Sequence, residues 1–136
     1  ILNCSLIKYF TKELSRNEIN LTPEQYLVMD ILWDADVMSQ QSIADIIQKD
    51  KNSVTKFIDS LEKKGLVYRV VNKEDRRVNN IMVSEEGKKL KTKTTEVAIK
   101  MMRNVLDNIK EEDLMAFDKV MMQIKDNIDG AIRNVE

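Results

Sequence analysis

The sequence contains no histidine. That removes the commonest general base, the commonest metal ligand and the side chain that titrates nearest neutral pH. A lone cysteine, Cys4, excludes an intrachain disulfide framework and fits a reducing cytoplasm. The glycines are three, Gly65, Gly87 and Gly130, too scattered to form a phosphate-cradling loop. No apolar run approaches the roughly 20 residues of a membrane-spanning helix. Ser84 and Thr55 have no histidine to activate them, and no segment sets two carboxylates facing each other. These absences argue against an enzyme, a metal centre and a bound cofactor. They favour a cytoplasmic protein that acts by binding.

What is present is charge, unevenly placed. The 136 residues are 43% hydrophobic and 33% charged, enough for one domain or one domain with a helical extension. The net charge is −1, yet whole-chain charge is the wrong quantity for a polyanion partner. Residues 49–77 hold nine basic against five acidic side chains, a local +4; residues 105–136 hold four against eight, a local −4. A local field of this kind decides where a nucleic acid docks.

Periodicity orders the chain as four helices, a hairpin and two more helices. Leu2, Leu6, Tyr9, Phe10 and Leu14 predict a helix from Leu2 to about Ile19. Thr22 and Pro23 are an N-cap hydroxyl and a proline at the first helical position, predicting a helix to about Trp33. Ser39 caps a short helix with Ile43, Ile46 and Ile47 inward. A break at Lys49–Asp50 leads into the next helix, which ends at Gly65, a residue suited to a left-handed C-cap. Leu66–Val71 and Val78–Val83 read as strands joined by a polar turn. Ser84, Glu85 and Glu86 start a long helix to roughly Ile109. The last helix carries Leu114, Phe117, Val120, Met121, Ile124 and Ile128 on one stripe.

The 50–64 helix and the hairpin carry the function. Val54, Phe57, Ile58 and Leu61 must face the core, leaving small, polar and basic residues outward. Lys51 and Lys56 can neutralise phosphates or reach guanine, Ser53 and Thr55 can bond to bases or phosphates, and Asn52 can serve an adenine edge or cap the helix. In the turn, Lys73, Arg76 and Arg77 are candidate contacts for the neighbouring minor groove. Asp75 would repel a phosphate, so its expected task is to pair with one of the two arginines and brace the turn. The residue types do not say which arginine.

The runs LTPEQYLVMDILW, SQQSIADIIQKDKNSVTKFIDSLEKKGLVYR, EDRR and IMVSEEGKKL resemble the MarR family of bacterial winged-helix regulators over about residues 21–90. Where many relatives carry threonine after the second wing strand, this chain has Ser84. The resemblance implies a mainly α (α+β) winged helix-turn-helix between N- and C-terminal dimerisation helices. The corresponding divisions are 1–20, 21–90 and 91–136. It implies a homodimer on a pseudo-palindromic operator, usually a repressor. Base and phosphate contacts would come from Asn52, Ser53, Thr55, Lys56, Arg76 and Arg77.

The dimer has a case from the residues too, since Leu2, Leu6, Phe10, Ile124, Ile128 and Ile132 form stripes that a second copy could cover. Many relatives release DNA when a small aromatic or phenolic ligand enters a cleft; Tyr9, Phe10, Tyr26 and Trp33 are the candidate lining here. Two alternatives stand beside this reading. One is a winged-helix protein-interaction module without DNA binding, disfavoured by the exposed lysines and twin arginines. The other is a thiol-based redox regulator using Cys4, which lies only seventeen residues before Leu21.

Overall fold

The computed structural model describes residues 2–136. In chain order its elements are α1 (Leu2–Arg16), α2 (Pro23–Ala35), β1 (Val37–Ser39), α3 (Gln40–Ile47), α4 (Lys51–Lys63), β2 (Val67–Val71), β3 (Asn79–Val83), α5 (Glu85–Lys89), α6 (Lys91–Val105) and α7 (Glu111–Val135). The chain divides into two compact units, residues 1–101 and 102–136.

In the first unit, local signals set most of the boundaries. The Thr22 hydroxyl accepts from the Gln25 amide at 3.2 Å, and the Gln25 side chain accepts from the Thr22 amide at 3.1 Å. That reciprocal capping box, with Pro23 behind it, starts α2. Helix α1 stops at Arg16, three residues short of the expected Ile19. Glu18 takes a positive φ of 58°, and the Ile19 and Glu18 amides bond back to the Leu14 and Ser15 carbonyls. This is a Schellman ending built on glutamate, where no glycine announces it. Its accompanying apolar pair, Leu14 and Ile19, is buried.

The sheet is three-stranded and antiparallel in the order β1-β3-β2. Val37 faces Met82 in β1–β3, and Tyr68 faces Met82 in β2–β3. Strand β1 was not expected from the sequence; three residues are too few to show alternation. The expected 84–109 helix is interrupted at Leu90, whose amide bonds to the Gly87 carbonyl in a tighter turn. Gly87 itself is required by close approach: a Cβ there would meet the Leu66 carbonyl oxygen and the Val83 side chain. Its carbonyl accepts the Trp33 indole N–H at 3.0 Å, joining α5 to α2.

The core gathers Leu14, Val28, Met29, Leu32, Ile43, Val54, Ile58, Leu61 and Ile81, all essentially solvent-free. Burying a side chain of this size contributes roughly 1.5–3 kcal/mol. In α3, Ile43 is inward as expected, but Ile46 is exposed and Ala44 is the buried partner. At about 100° per residue the inward face of α3 centres on Ile43, Ala44 and half-buried Ile47, which leaves Ile46 at its outer edge.

The second unit is dominated by α7. Glu111, Glu112 and Asp113 occupy its first turn, the end where negative charge complements the helix dipole. No α7 residue is buried: Phe117, Val120, Met121, Ile124, Ile128 and Ile132 are all exposed.

Candidate nucleic-acid interface

Helix α4 is held at both ends. Its N-cap is Asp50, not Asn52: the Asp50 carboxylate accepts the Ser53 amide at 2.9 Å and the Ser53 hydroxyl at 2.6 Å. These bonds, the hydroxyl's first, hold the Asp50 pKa below its ordinary value. At the other end Gly65, at φ 74°, closes a Schellman turn in which the Leu66 and Gly65 amides bond to the Leu61 and Glu62 carbonyls. The Lys64 ammonium donates to the Asn20 carbonyl at 2.9 Å and to the Gln25 side-chain oxygen at 2.7 Å. Burial lowers its pKa. Gln25 also donates to the Ser60 hydroxyl at 2.9 Å, so the α1–α2 turn grips the base of α4.

Between these ends, Val54, Ile58 and Leu61 face the core as expected and Phe57 is half-buried. Lys51, Asn52 and Lys56 are exposed; Ser53 and Thr55 are half-buried. The last two are engaged within the protein. Ser53 serves the Asp50 cap, and the Thr55 hydroxyl donates to the Lys51 carbonyl at 2.8 Å while accepting from the Gln40 amide at 2.6 Å.

Arginine 69 changes the charge account. It reaches from β2 to Asp59 at 2.7 Å and Glu62 at 3.0 Å on α4, and donates to the Thr55 carbonyl at 3.4 Å. Its backbone amide bonds to the Glu62 carboxylate as well, at 3.2 Å. With only 20% of its side chain exposed, Arg69 is a clamp between α4 and β2 rather than a free cation. Both acids on the outer half of α4 are thereby answered. Lys51, Lys56 and Lys63 have no ion pair among the described residues.

The wing is the β2–β3 turn. Asp75 pairs with Arg77, accepting its backbone amide at 3.0 Å and its guanidinium at 3.1 and 3.3 Å. The side-chain bond, then the backbone bond, lowers the Asp75 pKa. Arg76 makes no hydrogen bond or ion pair among the described residues, and Lys73 is likewise exposed. The turn's shape owes as much to Asn72, whose side-chain oxygen accepts the Glu74 and Asp75 amides at 2.9 and 3.3 Å. The Asn72 amide then closes on the Val78 carbonyl at 2.9 Å. Since the Arg77 side chain is 91% exposed, the ion pair alone is a weak brace.

Three of the four aromatics offered as a cleft pack on each other. Phe10 and Tyr26 meet edge-to-face with centroids 5.0 Å apart, and Tyr26 and Trp33 at 6.4 Å. Phe10 and Trp33 are buried and Tyr26 is half-buried, with its pKa raised by desolvation and then by Asp30. Tyr9 is half-buried on α1. Phe10 therefore cannot serve an outward stripe for a second copy, because α2 already covers it. Cys4 is exposed on α1. No group of three metal-ligating side chains lies together among the described residues, and no helix among them is long and apolar enough to cross a membrane.

Sequence reasoning missed Gln40, Asn72, the tie through Gln25 and Lys64, and the clamp role of Arg69. Asn before a charged turn is an available signal for Asn72. The others act between elements, across 7 to 44 residues of sequence, where helical or strand spacing is silent.

Residues 21–78 match the sequence model of the MarR family. The chain is 25% identical to the organic hydroperoxide resistance transcriptional regulator of Bacillus subtilis, over 69% of this chain and 68% of that one. Its fold is similar to that of Staphylococcus aureus MepR in a DNA complex, with TM-score 0.86 and 23% identity over 93% and 92% of the two chains. It is similar also to an Escherichia coli MarR mutant complexed with operator DNA, with TM-score 0.82 and 16% identity over 90% and 86%. In the sequence of its helix-turn-helix and wing, residues 21–78, the chain is similar to the MarR family, and its fold is similar to that of these solved structures.

Proposed function

We propose that this protein is a cytoplasmic, sequence-specific duplex-DNA-binding transcriptional regulator, acting as a repressor. Helix α4 enters the major groove, and the β2–β3 wing reaches the adjacent minor groove. One observation carries the reading. Within the α4–wing unit, Asp59, Glu62 and Asp75 are each taken up by an arginine, whereas Lys51, Lys56 and Arg76 are left for an outside anion. The relatives' descriptions support it: one is a transcriptional regulator, and two are similar folds solved on DNA.

In this reading Lys51, Lys56, Lys73 and Arg76 contact phosphates or groove edges, and Asn52 faces the bases. Ser53 and Thr55 mainly shape the helix surface, and Arg77 with Asp75 orders the wing. The protein works as a homodimer through α1 and α7, one half-site per protomer. A small ligand that releases DNA has less support, because the aromatic residues proposed for its cleft are largely committed to packing. The protein-interaction reading without DNA has no feature in its favour here.

The test is fluorescence anisotropy with the operator recovered from genomic fragments bound by the purified protein. Lys56→Ala and Arg76→Ala should each weaken binding. Each should also reduce the slope of log K against log salt by about one for every phosphate no longer neutralised. Circular dichroism should remain unchanged. Tight binding by both variants at moderate salt would sink the reading.

A further inference from the structure

The side chain of Gln40 is the first of α3, yet it touches α4. Its amide nitrogen donates to the Thr55 hydroxyl at 2.6 Å. The Thr55 hydroxyl commits its own proton to the Lys51 carbonyl, at 2.8 Å. Toward Gln40 that oxygen can therefore only accept, which settles the amide's orientation: nitrogen toward Thr55, oxygen away. One N–H and the side-chain oxygen of Gln40 remain without a partner among the described residues, in a half-buried side chain. Its backbone is fixed as well, since Ser39 immediately before it pairs with Asn80 in the sheet and caps α3.

We propose that Gln40 is a specificity-determining residue of the DNA site, reading the major-groove edge of an adenine, with Thr55 as the group that positions it. A glutamine amide offers a donor and an acceptor side by side, the complement of adenine N7 and N6–H. A phosphate oxygen would use the N–H alone and leave the amide oxygen facing negative charge. The bond to Thr55 fixes the amide in advance, so ordering the side chain on the base costs less entropy. Thr55, its hydroxyl occupied on two sides, acts through Gln40. The inference rests on the duplex-binding reading above, and supplies one base contact from outside α4.

The experiment uses the full chain and its recovered operator, with each half-site base pair permuted in turn. Gln40→Leu, which keeps the side chain's bulk, should erase preference at one A·T position per half-site, by roughly ten- to hundredfold. Preferences elsewhere and the salt slope should stay as they are. Thr55→Val should weaken preference at the same position. Replacing that adenine by 7-deazaadenine should cost the parent affinity but leave Gln40→Leu unaffected. The idea is overturned if Gln40→Leu keeps every base preference. It is equally overturned if affinity falls uniformly with a shallower salt slope, which would make Gln40 a phosphate contact. If the parent itself shows no sequence-selective duplex binding, the functional reading fails and takes this inference with it.

Discussion

Single side chains decide how much net charge α4 presents at its surface, and Arg69 is the clearest case. Counted along the sequence it is one of nine basic residues in a +4 segment. In the fold it answers Asp59 and Glu62, so its charge acts by cancelling theirs. Although Arg69 is largely covered, Asp59 and Glu62 are about half exposed, so solvent screens the pairs and they add little to folding stability, about 0–1 kcal/mol. Arg69→Met should therefore leave the melting temperature nearly unchanged while exposing two uncompensated carboxylates beside the DNA. Operator affinity is expected to fall by roughly tenfold at low salt and by less at high salt, where repulsion is screened. Adding Asp59→Asn to that variant should recover part of the loss. Equal loss at all salt concentrations, or no recovery, would point to a packing defect instead. The outward residues of α4 were legible from period alone, because Val54, Ile58 and Leu61 leave no choice of face. Their partners were not: Thr55 reads as a free hydroxyl until Gln40, fifteen residues earlier, is seen against it.

Elements were legible where a boundary is written in local chemistry, and illegible where it is not. Thr22–Pro23, Ser39, Gly65 and Ser84 each mark an end through hydrogen bonds to nearby backbone, and each end falls where those residues predict. Helix α1 ends on a left-handed glutamate and α5 breaks at a leucine, residues that carry no stop signal. The wing lies between these cases. Its arginines and Asp75 announce a pairing, but only the geometry assigns Arg77 to it and leaves Arg76 outward. The wing and the α4 N-cap also set the pH response. Asp75 and Asp50 both have folded pKa values below the ordinary 3.8. A depressed carboxylate contributes fully above its unfolded value, and the contribution is lost as pH falls below 3.8 toward the folded value. With no histidine anywhere, neither element has a group changing charge near neutrality. Operator affinity at fixed ionic strength should thus be flat from about pH 5.5 to 8. The Arg77 amide resonance should titrate with a midpoint below 3.8. An inflection in affinity between about pH 6 and 7 would contradict this account.

At the scale of the whole molecule the question is what covers the apolar face of α7. The helix is 25 residues long, about 37 Å at 1.5 Å per residue. Along it Phe117, Val120, Met121, Ile124, Ile128 and Ile132 are exposed, each near half of its surface or more. Monomeric proteins rarely leave an apolar patch beyond a few hundred Å² in water. A stable symmetric interface needs about 800 Å² from each partner, which a stripe of this length can supply in large part. The sequence made the stripe visible through its three- and four-residue spacing. It could not show that Phe10, in the same stripe on α1, is already covered by Tyr26. Sedimentation should therefore find the protein at twice its 15.8 kDa chain mass. Ile124→Asp with Ile128→Asp should shift it to the single-chain mass while preserving helix content. That monomer presents one recognition helix and one wing, so its log K against log salt slope should be about half the parent's. A parent that sediments as a monomer, or a charged double variant that stays dimeric, would remove α7 from the assembly.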